Sequence, residues 1–387
     1  MRVLRRTVPL LTAGMAVIGA NSLVLPPIAP AVAISLATDV SSVLQAAAAY
    51  GGGTIFAALF LAPRADVIGL DRALRISCCL LIFALSLSCF APTVGILFVG
   101  QALGGLGAGA ALPTIYSIAA QIAPKGRRKQ TIGFVLSGWT FSLIGGVTLS
   151  AMLADFLSWR VVYGLLAAMT VLIWALLMRS NFGSPVDEKP EFSVSPFLAL
   201  RTPGILRGLG SNAMLMLAFN GAYLYLGSHI VENMGLSTTA AGIMTMFYGF
   251  GFGLASLLNR HLELISMKRL GVLAFAGLTV SYLLMELSVL NFVLLLPIAL
   301  IWGIFQHFGL NLVVERLTSL DPYRRGAIMG LNSAVTYSTV LGGAILYRIP
   351  YEYGGLGACL AFSAVFAVLG CLEAFWPNAI KTYSAAE

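Results

Sequence analysis

Charged residues are scarce in this sequence. Asp, Glu, Lys and Arg make up 10% of the 387 residues, whereas soluble domains carry about 25%. So few charges exclude a water-soluble globule, and they also exclude an intrinsically disordered chain. Five cysteines are too few for a secreted scaffold held by disulfides. Because the three histidines are far apart and no carboxylates pair within an apolar stretch, we expect no enzyme, no metal site and no cofactor.

Apolar residues, in contrast, are abundant at 59%. A helix that crosses a bilayer needs about 20 of them in succession. The turn-forming segment Ala91–Gly95 divides the longest charge-free run, so the eleven runs predict an all-α membrane protein with twelve transmembrane helices. A β-barrel is excluded because the runs do not alternate apolar and polar residues. The runs are 7–38, 40–63, 76–124, 130–154, 161–178, 208–231, 233–259, 270–285, 287–314, 326–347 and 353–372.

The distribution of basic residues predicts the orientation. All but Arg160 and Arg348 of the 23 lysines and arginines fall on the face that carries the N-terminus, and basic loops are typically cytoplasmic. We therefore expect a multi-pass protein of the cell (inner) membrane with both termini cytoplasmic and no cleaved signal peptide. The net charge of +8 then indicates membrane lipids as neighbours and requires no nucleic-acid partner.

The chain also contains an internal repeat, in which residues recur at offsets of 197 or 198. The matched pairs are Arg128 and Arg325, Gly133 and Gly330, and Gly105 and Gly303. The repeat predicts two six-helix halves, residues 1–180 and 206–387, joined by a cytoplasmic linker at 181–205. Two similar bundles around a central site can rock against each other and expose that site to alternate sides of the membrane.

Three segments resemble motifs of the major facilitator superfamily. The loop between spans 2 and 3 has Asp66, Gly69 and Arg72 at the acidic, glycine and basic positions of a family loop motif. Residues 101–109 in span 4 are similar to a second motif, and 138–150 in span 5 to the antiporter motif. The pattern is most similar to the twelve-span drug:proton antiporter branch, near the sugar-efflux-like proteins. This resemblance implies proton-coupled transport, with Asp66, Gly69 and Arg72 as a cytoplasmic gate.

Span 4 departs from its motif at one position. Gln101 stands where the family usually has an arginine with a role in proton coupling. We expect the Gln101 amide to point into the bundle, since a buried amide must find partners. Asn21 in span 1 precedes three prolines and is expected to line a cavity beside a bent helix.

Span 10 supplies candidates for a substrate or proton pathway, because its polar residues recur at helical spacing. His307 is either a proton or substrate site, since an imidazole titrates near physiological pH, or a neutral histidine hydrogen-bonded within the bundle. Glu315 is either a coupling carboxylate or an interfacial charge paired with Arg316 or the loop between spans 4 and 5. One stripe is Gly303, His307, Asn311 and Glu315, and its neighbour is Trp302 and Gln306.

Span 7 carries a second stripe of polar and soft side chains. It suits either an amphipathic ligand that needs a few hydrogen bonds or hydrogen bonds that hold neighbouring helices together. The stripe consists of Asn212, Met216, Asn220, Tyr223 and Gly227.

The sequence therefore predicts a monomeric secondary transporter that exports a small amphipathic or polar organic solute by proton antiport. Two alternatives remain open at this point. One is an importer or uniporter of a metabolite in the same fold, and the other is a membrane sensor that binds a ligand without transporting it.

Overall fold

The computed structural model describes residues 2–62, 64, 68–124, 127–179, 196–258, 265–321 and 324–375. These ranges contain twelve long helices, as the charge-free runs predict. A four-residue helix, Pro196–Ala199, precedes α7. The long helices are α1 (Arg2–Ser35), α2 (Val40–Phe56 and Ala57–Leu61), α3 (Leu70–Cys89), α4 (Val94–Ile122), α5 (Arg128–Phe141, Ser142–Gly146 and Val147–Phe156), α6 (Trp159–Met178), α7 (Ile205–Ser228 and His229–Asn233), α8 (Thr238–Leu257), α9 (Met267–Leu287), α10 (Phe292–Thr318), α11 (Arg325–Leu346) and α12 (Arg348–Phe375).

Short polar side chains determine where many of these helices begin. Asp39 caps α2 by accepting hydrogen bonds from the backbone N–H and the hydroxyl of Ser42, at 2.8 and 2.7 Å, and these bonds lower the pKa of the Asp39 carboxyl. Such caps bond to N–H groups that have no partner within the helix. Thr93 caps α4 in the same way, which explains why the 76–124 run divides after Phe90. The other side-chain caps are Ser158, Ser237, Ser266 and Asn291.

Eleven of the twelve helices are long and apolar enough to cross a membrane. The exception is α11, which has 22 residues but carries several hydroxyl and amide groups. Two of its hydroxyls, those of Thr336 and Thr339, accept hydrogen bonds from Asn212 and Asn220 of α7, each at 2.9 Å. Pairing with α7 thus satisfies polar groups that would be costly to expose to lipid.

The same packing pattern occurs in both halves. In the first half, α4 packs on α2 and α3, while α1 packs on α5 and α6. In the second half, α10 packs on α8 and α9, while α7 packs on α11 and α12. Three helix pairs make most of the contacts between the halves, namely α1 with α7, α2 with α11, and α5 with α8. Helices at corresponding positions of the two halves thus have corresponding neighbours.

Three helices that pack across the interface contain a π-helical segment. These segments are Ala57–Leu61 in α2, Ser142–Gly146 in α5 and His229–Asn233 in α7. The one in α5 lies inside the segment that resembles the antiporter motif. Because π-bulges are frequent at functional sites, they direct attention to the plane between the halves. A fourth irregularity is the kink in α12 at Gly355, whose φ of +61° is a conformation that favours glycine.

Candidate functional site

The two halves contact each other through α1 and α7, from just beyond the middle of these helices toward the ends that lie opposite the N-terminus. The hydroxyl of Tyr223 in α7 donates a hydrogen bond to the carbonyl oxygen of Leu23 in α1, at 2.9 Å. One turn further, Gly227 lies directly on α1, and a Cβ there would be 2.6 Å from the Cα of Pro27 and 2.7 Å from the oxygen of Pro26. The two adjacent prolines of α1 therefore form the surface that receives α7.

Two further helix pairs hold the sides of the interface. In the α5–α8 pair, the Thr148 hydroxyl donates to the carbonyl oxygen of Gly242 at 3.0 Å. In the α2–α11 pair, the rings of Tyr50 and Tyr337 lie 6.2 Å apart. By contrast, neither α4 nor α10 has an extensive contact with the other half in the described part of the chain.

An aromatic cluster occupies the second half at the middle of the membrane-spanning helices. Phe219 of α7 has Tyr223, Tyr248 and Trp302 around it, each with ring centroids 5.3 Å away. Trp302 is fully buried, and its indole N–H donates to the hydroxyl of Tyr282 at 3.1 Å. The four rings are buried against one another, so the cluster is a packed aromatic core of the second half.

In the first half, two of the three repeat-related positions carry a polar or a small residue instead of an aromatic one. At the offset of 198, Asn21 corresponds to Phe219, Tyr50 to Tyr248, and Gly104 to Trp302. The Nδ2 atom of Asn21 lies 3.1 Å from where a Cβ of residue 104 would be, so glycine leaves room for the amide. The Oδ1 atom of Asn21 is buried and has no hydrogen-bond partner among the described residues. The repeat-related positions thus carry an aromatic ring in the second half and an amide in the first.

The polar stripe of α7 faces more than one neighbour. Asn212 donates to Thr336 and also to the carbonyl oxygen of Asn332, at 3.2 Å, while Asn220 donates to Thr339. These bonds fit the interhelical reading of the stripe. Its other members differ, because Tyr223 and Gly227 contact α1 and Met216 contacts α10.

The stripes of α10 lie partly within the site. Gln306 is buried one turn after Trp302, and its Nε2 lies 3.6 Å from the sulfur of Met216. His307 is 9% exposed. Its imidazole ring is nearly perpendicular to the ring of Phe252, and the two ring centroids are 4.6 Å apart. Asn311 is half-buried one turn further along. Trp302, Gln306 and His307 are thus neighbours on α10. Together they contact residues of α7 and α8.

Glu315 does not belong to this group. It is exposed at the end of α10, and the predicted pair with Arg316 is not formed, because successive residues of a helix point in different directions. Arg316 instead binds Glu373 of α12 at 2.9 Å. Arg207 of α7 also pairs with the Glu373 carboxylate. This cluster could not be predicted from the sequence, because its three residues lie at the ends of three different spans.

The predicted gate is described only in part. Asp66 lies outside the described residues. Gly69 precedes α3 with a φ of +89°, which explains the glycine, and Arg72 is exposed in the first turn of α3. The ion pair at this helix start joins Asp71 and Arg75, at 2.9 Å.

Gln101 points into the first-half bundle, as expected. It is buried, and its Nε2 lies 3.3 Å from the hydroxyl oxygen of Ser88 in α3. Gln101 therefore faces a helix of its own half and not the plane between the halves.

Comparison with known proteins shows to which family this fold belongs. A sequence model of the Major Facilitator Superfamily matches residues 10–347. The uncharacterised MFS-type transporter YwfA of Bacillus subtilis is 27% identical over 97% of this chain and 92% of its own length. A probable sugar efflux transporter of Haemophilus influenzae is 24% identical over 66% of this chain and 64% of its own.

Two further proteins are similar over most of the chain. The purine ribonucleoside efflux pump NepI of Shigella sonnei is 24% identical over 82% of this chain and 80% of its own length. The xylose transporter XylE of E. coli, in a partially occluded inward open conformation, superposes with a TM-score of 0.78 at 14% identity. That match covers 99% of this chain and all of the other, so it confirms the predicted fold.

Proposed function

Because this chain belongs to the major facilitator superfamily, we propose that it exports a small amphipathic or polar organic solute in exchange for protons. The family and its relatives are membrane transporters, so the prediction of a multi-pass transporter that is not an enzyme is confirmed. The proposal adds the direction, the coupling ion and the kind of solute. The observation that carries it is the pairing of two similar halves that contact each other through α1 and α7, with an aromatic cluster in one half and a buried amide at the repeat-related position of the other.

Export is supported by the relatives. Two of them are named for the efflux of sugars and of purine ribonucleosides, which are small polar solutes with a ring. The face that carries the N-terminus is proposed to be cytoplasmic, because its loops hold nearly all of the lysines and arginines. In the described state the opposite face is closed at α1 and α7, so the solute would enter from the cytoplasm.

Proton coupling is assigned to His307. The carboxylates of the described spans lie close to helix ends, whereas His307 lies near the middle of α10 beside the aromatic cluster. An ionisable group at bilayer depth is costly, by about 3 kcal/mol on insertion scales, and usually has a function. A proton on His307 would therefore change the charge of the site in which the solute binds.

The test is solute-dependent proton flux in proteoliposomes, with a panel of sugars, nucleosides and amphipathic drugs. We expect a solute-driven proton signal in the wild type, its loss in His307→Gln, and its retention in His229→Gln. His229 is the matched control, because it is a buried histidine at the far end of α7, where Nε2 bonds to the carbonyl oxygen of Val289 at 2.8 Å.

The possible results separate the alternatives. Solute movement without proton movement, unchanged in His307→Gln, would favour a uniporter. Net uptake down an imposed proton gradient would favour an importer, and binding of a solute without any flux would favour a sensor.

A further inference from the structure

The first half carries a groove on its outer surface, between α3 and α6. The groove has a volume of about 420 Å³, which lies within the range of about 300–1,000 Å³ that is typical of ligand sites. The helices α3 and α6 are not among those that make most of the contacts between the halves, so the groove is separate from the interface. Its lining consists of Cys79, Ile82, Phe83 and Ser86 of α3 and Val171 and Trp174 of α6.

Helical spacing explains the shape of this groove. Cys79, Phe83 and Ser86 follow one another at intervals of four and three residues, so they lie on one face of α3. Along this face the side chains are small, large and small. Cys79 and Phe83 are both exposed, so a molecule outside the protein can reach them.

The groove lies at the level of the bilayer core. Both helices are long and apolar enough to cross a membrane, and their lining residues lie within about two turns of the middle of each helix. None of the six lining side chains is charged. An anionic or strongly polar ligand would lose its hydration at this depth without finding a charged partner. The occupant is therefore apolar where it meets the groove.

Two apolar occupants exist at this depth, namely a lipid acyl chain and a transmembrane helix of another chain. Helices pack closely in a membrane through small residues, but the exposed side chains around this groove are large. Ile76, Phe83 and Leu172 are all more than half exposed. They would hold a neighbouring helix away from the floor of the groove, whereas a flexible chain of methylene groups fits between them. The geometry therefore favours an acyl chain.

The internal repeat shows that the open space at Ser86 is not required by the fold. At the offset of 198, Ser86 corresponds to Leu284 of α9, and Trp174 corresponds to Leu372 of α12. The Leu284 side chain is exposed. A helix at this place in the bundle thus accepts a larger residue than serine.

We propose that the groove between α3 and α6 binds the acyl chain of a membrane lipid. The end of the chain occupies the groove, because the middle of a bilayer lies about 15 Å from the headgroup region. Dispersion contacts with Phe83 on one side and Trp174 on the other hold the chain. This site depends neither on the direction of transport nor on the coupling ion, since it requires only that α3 and α6 cross a membrane.

Photo-crosslinking of the full chain in nanodiscs tests the proposal. The probe is phosphatidylcholine with a diazirine at the end of one acyl chain, diluted in unlabelled phosphatidylcholine. The groove segments are residues 79–86 and 171–174, and their repeat-related segments in the second half are residues 277–284 and 369–372. We expect the groove segments to carry at least about threefold more label, which corresponds to ~0.65 kcal/mol.

Two variants fill the groove from opposite sides. Ser86→Leu introduces the residue of the repeat-related position, and Val171→Phe adds a ring on α6. Each should reduce the label on the groove segments at least about threefold, because the chain loses its contacts with the walls. Ala168→Leu is the matched control, since Ala168 is exposed on α6 but is not part of the lining. It should leave the label unchanged, and the melting temperature of each variant shows that it is folded.

Equal labelling of the two halves would overturn the proposal, and so would labelling that stays unchanged in a folded variant with a filled groove. A disulfide between two copies, formed by oxidation of membranes with a variant whose only cysteine is Cys79, would also overturn it, because a second copy would then cover the groove. None of these results would affect the proposed export, which the flux assay tests separately.

Discussion

Glu373 joins three helices through one carboxylate. It accepts hydrogen bonds from Ser211 at 2.8 Å and from Arg316 at 2.9 Å, and it also pairs with Arg207. The two guanidinium groups and the carboxylate are all largely shielded from solvent. At the ends of α7, α10 and α12, a single acid therefore lies between two cations that would otherwise repel each other, and the three side chains keep a net charge of +1.

We predict that Glu373→Gln destabilises the protein. The substitution leaves two partly buried cations without an anion, and removing one partner of a buried pair costs about 3–5 kcal/mol. Since these side chains retain some exposure, we expect a loss of ~1–3 kcal/mol, visible as a lower melting temperature in detergent.

A second glutamate provides the control for this measurement. Glu352 pairs with Arg348 at 2.7 Å, but both side chains are about half exposed. Exposed pairs contribute at most about 1 kcal/mol, so Glu352→Gln should leave the melting temperature almost unchanged. Equal shifts in the two variants would mean that the Glu373 cluster does not stabilise the fold.

At the scale of helices, one close crossing occurs twice. Gly105 of α4 lies against the carbonyl oxygen of Tyr50 in α2, and Gly303 of α10 lies against the carbonyl oxygen of Tyr248 in α8. An added Cβ would overlap the oxygen in both places. Both the glycines and the tyrosines are related by the offset of 198, so the two halves use the same contact to bring an inner helix close to its neighbour.

We therefore predict that Gly105→Ala and Gly303→Ala both lower the melting temperature, by an amount equivalent to about 1–3 kcal/mol of overpacking. Gly52→Ala is the matched control, because a Cβ at this α2 position meets nothing within 4 Å. Alanine favours a helix over glycine by about 1 kcal/mol, so Gly52→Ala should be neutral or stabilising. A similar effect of all three substitutions would show that the crossings tolerate a wider separation.

Much of this architecture could be predicted from the sequence. A membrane-spanning helix needs a long stretch without charged residues, so the positions of the charges show where the helices lie. The charge-free runs predicted twelve helices, and the repeat-related residues Gly105 and Gly303 make the same close contact in the two halves. The side of a helix on which a polar residue lies was also predictable, but its neighbour was not. Periodicity placed Gln101 inside the bundle without indicating Ser88, and it placed Glu315 beside Arg316 without indicating that Arg316 turns toward Glu373. Such contacts join residues far apart in the chain, and only the packing of helices determines them.

For the molecule as a whole, function requires that contacts between the halves form and break. The described state is closed where α1 meets α7, and XylE, which has a similar fold, was solved in a partially occluded inward open conformation. The contact at Gly227 is tight, whereas the hydrogen bond from Tyr223 to Leu23 is a single bond worth about 1 kcal/mol. The packing at Gly227, and not this one hydrogen bond, is therefore the contact that controls closure of α1 on α7.

We predict that Gly227→Ala shifts this equilibrium toward the state that is open at α1 and α7. The added methyl group would lie too close to Pro26 and Pro27 for the end to close as described, and a difference of ~1.4 kcal/mol between the states changes their ratio tenfold. Spin labels at the exposed positions 34 and 233, in a variant without the native cysteines, would report the separation of the two helices. The distance should become longer and transport slower in Gly227→Ala, but not in Gly210→Ala, because a Cβ at residue 210 of the same helix meets nothing within 4 Å. An unchanged distance together with normal transport would mean that the α1–α7 contact is not the gate at this face, and the closing contact would then have to lie in the α2–α11 or α5–α8 pair.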